Sequence, residues 1–378
     1  MTTYENLAPL EPTDAARRFT DPQTWGTFGA QWNSGEQKTL VCCAVYPETH
    51  DVKTFVFRCA DFSALSFEAG QFITLSPVIA GQPIARCYTV SSSPTRPFAF
   101  AITVKRVPGG LVSNWLHDRL QPGDCLRASG PAGSFTPVGI PAKKWLYLSA
   151  GSGVTPLMSM TRTAFDMASD LDIVFVHSAR TPTDIIFHDE LQGMQARMAG
   201  LRVLHVCESP GTTVDWQHPI GRLDLPLLSQ HVPDFREREV FICGPQGYME
   251  AVKSLLKDAR FDFAHYHQES FDISVLNAEP VIEQAPSLDQ ASLFTVTLSR
   301  SGKTFTMTGT QTVLSAAKKA GAIVPSSCSQ GVCGTCKTAL LEGTVDMNHN
   351  GGIRQREIDK GLRLLCCSKP TSDLVIDL

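Results

Sequence analysis

The chain has 378 residues, with 33 Lys plus Arg against 37 Asp plus Glu and a formal charge of −4. At roughly 100–200 residues per domain, that length predicts two or three domains. The near-neutral charge gives no whole-chain footprint for nucleic acid, and no apolar run approaches the ~18 residues that would read as a membrane span.

Residues 1–37 are polar and broken by Pro and Gly, and the first twenty lack the apolar stretch of a secretory signal. Trp25 and Trp32 predict that this extension docks on the protein, and the expected location is the cytoplasm. From Thr39 the texture is β: LVCCAV, TFVFRC, QFITLS, RCYTVSS and FAFAITVKRV are short, β-branched and aromatic, with turn signals between them. Such runs predict an antiparallel barrel over 38–141, interrupted by a short helix at GLVSNWLHDRL. Over 142–272 the pattern alternates. WLYLSA, DIVFVHSA, LRVLHVC and VFICG read as buried strands, while TPLMSMTRTAFDMA and QGYMEAVKSLLKDA carry the helical period. That alternation predicts an α/β domain with a parallel sheet. Residues 273–292, with two prolines, read as a linker whose r.m.s. span would be roughly 25 Å if flexible. The last block, 293–378, returns to α+β: FTVTLSR, KTFTMTG, a helix around TVLSAAKKAG, a cysteine loop and the strand DLVIDL.

Twelve cysteines in a chain of this kind read as reduced thiols with a metal or redox site. Cys328, Cys333 and Cys336 stand as C-x4-C-x2-C, and Cys366 follows after 29 residues. This is the plant-type [2Fe–2S] spacing. Three thiolates come from one glycine-bearing loop and the fourth from a distant strand end. A zinc site would more often show paired C-x2-C knuckles, and only one is present. The block resembles a plant-type ferredoxin domain, a β-grasp fold, over nearly all of its length. In that family the fourth ligand lies four residues before a proline, so the resemblance selects Cys366 over the adjacent Cys367. Ten Lys plus Arg against six Asp plus Glu over 293–378 depart from the acidic family norm and predict a partner with an acidic or neutral docking face.

Further upstream, RCYTVSS is an R-x-Y-[ST]-x-x-S string carrying Arg86, Tyr88, Thr89 and Ser92; GLVS carries Gly110 and Ser113, and GPAGSF follows at 130–135. A planar redox ring needs an apolar or aromatic floor, and a diphosphate needs a guanidinium or a helix N-terminus. Together these strings resemble the flavin domain of the ferredoxin–NADP reductase superfamily. The resemblance implies FAD, with Tyr88 on the ring, Thr89 near its N5 atom, Arg86 on the phosphate, and Val104 and Lys105 along the adenine-side edge.

WLYLSAGSGVTPLMSM places Gly151, Gly153, Thr155 and Pro156 between a strand and a helix as G-x-G-x-x-P. Proline suits the first helical position, and the helix N-terminus can meet a pyrophosphate. The second half, CGPQGYM, carries Cys243, Gly244 and Pro245 at another strand–helix junction. The superfamily resemblance places Cys243 at the nicotinamide, and Glu269 and Phe271 close to the flavin. Thr89, Cys243 and Glu269 are thus the catalytic candidates. His265 and His267 form H-x-H beside Glu269 with no further metal ligands to complete a set, which favours a packing role. DIVFVHSAR lacks a terminal acid to bind a ribose diol, and Ser178 and Arg180 could instead take a 2′-phosphate. NADH is favoured by resemblance, and NADPH stays open.

The whole chain resembles the reductase component of two-component oxygenases, in particular those of glycine betaine and related quaternary-amine demethylases. ETHDVKTFVF, KRVPGGLVSNWLHD, HSARTPTDIIFHDEL and the tail from VDMNHNGGI to LLCCSKPTSDLVIDL carry that resemblance. It implies electron flow from NAD(P)H through FAD and a [2Fe–2S] cluster to a Rieske-type oxygenase, with no membrane and no nucleic-acid partner. Reductases of hybrid-cluster proteins or diiron oxygenases, and a non-enzymatic redox sensor, remain as alternatives.

Overall fold

The computed structural model describes residues 30–33, 36–213, 215–270, 293–322, 324, 331, 334, 336–349, 353 and 355–378. Trp25, Phe271, the linker 273–292, Cys328 and Cys333 lie outside the described residues. The chain divides into two compact units, one drawn from the residues before 272 and the other centred on 293–378.

In the first unit a six-stranded sheet forms the barrel. Its strands are β1 (Glu36–Thr49), β2 (Val52–Cys59), β3 (Phe72–Ser76), β4 (Arg86–Thr89), β5 (Phe100–Lys105) and β6 (Cys125–Ala132), in the order β4-β3-β6-β1-β2-β5. β1, β2, β5 and β6 pair antiparallel, and β1 is bulged at Cys42/Ala44 and Pro47/Thr49. Phe55, Phe57, Phe100 and Ile102 fill the interior beneath helix α1 (Leu111–Arg119), which contributes Val112 and Leu116. Trp32 does more than dock: it is fully buried, 6.0 Å from Phe100, with its Nε1 donating to the Glu36 carbonyl.

The same unit holds a five-stranded parallel sheet: β7 (Lys144–Ala150), β8 (Asp172–Ala179), β9 (Leu201–Cys207), β10 (Glu239–Gly244) and β11 (Tyr266–Ser270), in the order β9-β8-β7-β10-β11. Helices α2 (Val154–Asp166), α3 (His188–Gln195), α4 (Leu225–His231) and α5 (Gln246–Asp258) complete it. Strand β7 shows why its sequence is a continuous apolar run. Trp145 and Tyr147 pack with Phe175, Phe241 and the α2 residues Leu157 and Met158, whereas Leu146 and Leu148 pack with Val174, Ile242 and the α5 residues Met249 and Val252. Both faces of the sheet are therefore covered, as parallel sheets require. Strand order reverses between β7 and β10, which opens a crevice at their carboxyl ends, the usual ligand site of open α/β sheets.

The second unit has strands β12 (Leu293–Leu298), β13 (Lys303–Thr308), β14 (Lys337–Glu342), β15 (Leu362–Leu364) and β16 (Leu374–Ile376), in the order β13-β12-β16-β14-β15. β12 runs antiparallel to β13 and parallel to β16. Helix α6 (Val313–Lys319) starts at Thr312, whose Oγ1 accepts the Ser315 N–H at 3.3 Å, and buries Val313, Leu314 and Ala317 against Val296, Leu364 and Ile376.

Candidate cofactor sites

Two turns meet at the sheet crevice. A 3₁₀ turn, Gly151–Gly153, joins β7 to α2, and Cys243-Gly244-Pro245 joins β10 to α5. They approach so closely that a Cβ on Gly153 would lie 2.2 Å from the Cys243 carbonyl oxygen. Only glycine permits that approach. Thr155 is buried, and its Oγ1 donates to the Ser152 carbonyl at 3.1 Å. Pro156 is the third helical residue, not the first, because α2 begins at Val154 after the 3₁₀ turn. Its missing N–H still costs nothing there, since the first-turn amides have no intrahelical acceptor.

Cys243 stands in register between Ser149 of β7 and Glu269 of β11. Burial pushes its thiol well above the ordinary range, and the Glu269 carboxylate raises it further. It is therefore a neutral thiol, not a thiolate nucleophile. The row continues through Ser149 to His177 and His205, so one in-register line of polar side chains crosses all five strands. Ser149 Oγ and His177 Nδ1 are 2.7 Å apart. Nothing in the sequence marks Ser149 as the neighbour of Cys243 or His177 as the neighbour of Ser149; only the register does. His265 and His267 both face Glu239, at 2.6 and 2.8 Å, and so serve its carboxylate.

In the barrel, Arg86, Tyr88 and Thr89 lie on β4. Thr89 is buried, and its Oγ1 has no hydrogen-bond partner among the described residues. An orphaned buried hydroxyl is unfavourable unless a ligand completes it, which fits a bound flavin ring. Arg86 Nη1 donates to the Ala85 carbonyl at 2.8 Å. Ser92 Oγ accepts the Ala101 N–H, and the Ser92 carbonyl accepts from Ser159 Oγ of α2 at 2.7 Å. Gly110 is the N-cap of α1, and Ser113 Oγ accepts the Val107 N–H at 3.2 Å. Val104 is buried in the barrel core, with its carbonyl on His117 Nε2. Lys105 Nζ lies 3.2 Å from Asp51, so its charge is met by a carboxylate that no sequence motif marks. Ser178 sits near the end of β8, and Arg180, just beyond that strand, faces Asp184 and Asp51.

In the second unit Cys336 and Cys366 are both buried. The Gly331 N–H donates to Cys366 Sγ at 3.1 Å, and the Cys366 N–H points at Cys336 Sγ at 3.4 Å. Backbone amides aimed at sulfur stabilise thiolates, as an iron–sulfur cluster needs. Cys367 instead points its thiol at the Leu364 carbonyl, 3.6 Å away.

Comparison with known proteins finds three matched families along the chain. Residues 44–136 match the oxidoreductase FAD-binding domain, 147–254 the oxidoreductase NAD-binding domain, and 296–371 the 2Fe-2S iron-sulfur cluster binding domain. The chain is 44% identical over 95% of its length, and 99% of the relative's, to the glycine betaine monooxygenase reductase subunit of Pseudomonas aeruginosa. The chain belongs to the family of monooxygenase reductase subunits. Another member, the stachydrine N-demethylase reductase subunit Stc4 of Rhizobium meliloti, is 40% identical over 90% of this chain and 95% of its own. Among solved structures, phthalate dioxygenase reductase matches with TM-score 0.56 and 27% identity, covering 90% of this chain and 98% of that one. A type IV self-sufficient cytochrome P450 monooxygenase matches with TM-score 0.69 and 26% identity over 90% of this chain, which spans only 41% of that longer protein. This reductase thus carries FAD-binding, NAD-binding and [2Fe–2S] domains in an architecture like that of phthalate dioxygenase reductase.

Proposed function

We propose that this reductase oxidises NADH and delivers single electrons to a Rieske-type oxygenase that demethylates a quaternary amine such as glycine betaine. FAD, when bound, takes two electrons together and releases them singly, and the cluster carries one at a time. Tyr88 supplies the aromatic floor and Arg86 the phosphate contact. Thr89 completes its hydrogen bond on the ring, while the N-terminus of α1 at Gly110 and Ser113 adds amide donors to the diphosphate. Gly151, Gly153, Thr155 and Pro156 hold the nicotinamide dinucleotide from one side of the crevice, and Cys243, Gly244 and Pro245 from the other. Cys243 and Glu269 line the reacting face. The neutral thiol excludes water without attacking the ring, and the carboxylate orients the carboxamide. Cys328, Cys333, Cys336 and Cys366 ligate the cluster. The reduced thiols this requires suit a cytoplasmic protein.

The close seating of Gly153 on Cys243 carries the dinucleotide assignment, because it joins two separate motifs into one crevice. The quaternary-amine assignment is supported by relatives of 44% and 40% identity over at least 90% of the chain. It is tested by combining the purified reductase with NADH, oxygen, glycine betaine and a glycine betaine oxygenase component. Formaldehyde release coupled to NADH oxidation is expected. Efficient reduction of ferricyanide with no coupled demethylation would move the acceptor to another metalloenzyme class.

A further inference from the structure

Cofactor preference is decided by chemistry at the end of β8. In open α/β folds the adenosine ribose lies near the carboxyl end of the strand that follows the glycine-rich turn. A 2′-phosphate there needs a cation with donors to spare, whereas a ribose diol needs acceptors. Here β8 ends at Ala179 with no acid of its own, and Arg180 follows. The motif alone therefore suggests a phosphate site.

The structure fills in what surrounds that guanidinium. Arg180 Nη2 donates to Asp184 Oδ1 at 3.2 Å and lies 3.8 Å from Asp51 Oδ2. Neither carboxylate is loose. Asp184 Oδ2 accepts both the Thr181 N–H and the Thr181 hydroxyl, at 3.1 and 2.7 Å, closing a capping box. Asp51 comes from the tight turn between β1 and β2, and is held by Lys105 Nζ at 3.2 Å and Thr49 Oγ1 at 3.0 Å. His50 bridges the pair, 3.6 Å from Asp184 and 3.8 Å from Asp51. Arg180 and Lys105 thus face two fixed anions, and a phosphate dianion would enter against both carboxylates.

We infer that Asp51 and Asp184 neutralise Arg180 and thereby set this reductase's preference for NADH over NADPH. Resting on the dinucleotide assignment at the crevice, the inference names a specificity device assembled from two lobes of the first unit. The acid that β8 lacks is supplied by a barrel turn and by the loop after the strand.

The test uses holoenzyme with ferricyanide as acceptor, measuring kcat/KM for both nucleotides in the wild type, Asp51→Asn, Asp184→Asn and the double variant. Direct binding of adenosine 2′,5′-bisphosphate, against 5′-AMP, is measured by calorimetry on the same proteins. The wild type should prefer NADH and bind the bisphosphate no better than 5′-AMP. The double variant should raise the NADPH-to-NADH ratio by at least about tenfold, mainly through KM, and tighten bisphosphate binding by a similar factor. Asp51→Asn, which leaves the capping box intact, should show a partial shift even where Asp184→Asn folds poorly. A wild-type preference for NADPH, or a folded Asp51→Asn with both ratios unchanged, would overturn the inference while leaving the reductase function standing. Failure of either nucleotide to reduce the wild type would overturn both.

Discussion

Arg162 Nη1 donates to the carbonyl of Ser91 at 2.6 Å, while its other guanidinium nitrogens grip Glu190 at 2.8 and 2.6 Å. Arg162 is on α2, the helix that leaves the glycine-rich turn; Ser91 is two residues beyond Thr89. Ser159 Oγ reaches the Ser92 carbonyl from the same helix, and Asp166 near its end accepts from Arg96. The glycine-rich turn and the strand that carries Thr89 are therefore joined through the segments that follow them, which would hold the two proposed cofactor sites at a fixed separation.

Replacing Arg162 with Gln should loosen that joint. Ser91 would lose its donor and Glu190 its partner, at a cost on the order of 1–3 kcal/mol for a buried group left unsatisfied. A fall in Tm of several degrees is expected in thermal unfolding, with kcat/KM for NADH–ferricyanide turnover down by roughly tenfold. Unchanged turnover in a destabilised variant would restrict Arg162 to a stabilising role.

Gly153→Ala should be more severe. The added methyl would sit 2.2 Å from the Cys243 oxygen, so the two crevice turns must part. Displacement of about 1 Å at a hydride-transfer site costs roughly a hundredfold in rate. The flavin should stay bound, because the barrel is untouched. Gly193→Ala in α3 is the control: its Cβ would meet nothing nearer than Arg197 Nη2 at 3.7 Å. Equal activity in the two variants would refute the interlock.

The adjacent cysteines of the second unit give a sharper pair. Cys366 Sγ accepts a backbone N–H from Gly331, whereas Cys367 Sγ turns to the Leu364 carbonyl. Cys366→Ser should abolish the long-wavelength visible absorption of the cluster while NADH–ferricyanide activity, which needs only the flavin, persists. Cys367→Ser should keep the full spectrum. The opposite result would reassign the fourth ligand.

Much of this architecture is legible in the sequence, because its elements carry strong local signals. The buried run WLYLSA and the period of VTPLMSMTRTAFD announce a strand and a helix, and the glycines between them announce the turn. What stays hidden has no local signal. The strand Cys125–Ala132 carries Gly130 and Pro131 and is not among the strands the sequence predicts, yet its residues 125–130 pair with β1. Ser149 and His177 look like ordinary strand residues until register puts Ser149 between His177 and Cys243. Asp51 lies 129 positions before Arg180 in the chain, so no local pattern links them. Side chains that act through tertiary partners become visible only when the strands are paired.

Acid stability follows from the far end of that polar row. Burial pushes His177 down to about 4; it pushes His205 down to about 2, reinforced by the neighbouring His177, His188 and His218. Both imidazoles are neutral in the folded protein, whereas in the unfolded chain they take a proton below their ordinary value of 6.5. Their stabilising contribution is therefore complete above pH 6.5 and lost progressively as the pH falls below it, by about 1.4 kcal/mol per pH unit for each. His265, raised by its bond to Glu239, acts in the opposite direction, with its contribution present below 6.5 and lost as pH rises through its folded value. The carboxylates Asp51, Asp61 and Asp166, all lowered, titrate beneath this window. Urea midpoints measured between about pH 7.5 and 5 should thus fall steeply for the wild type. The slope should be shallower for His205→Gln, whose amide takes up no proton. An identical slope in the two proteins would show that the buried histidines are not what acid unfolds.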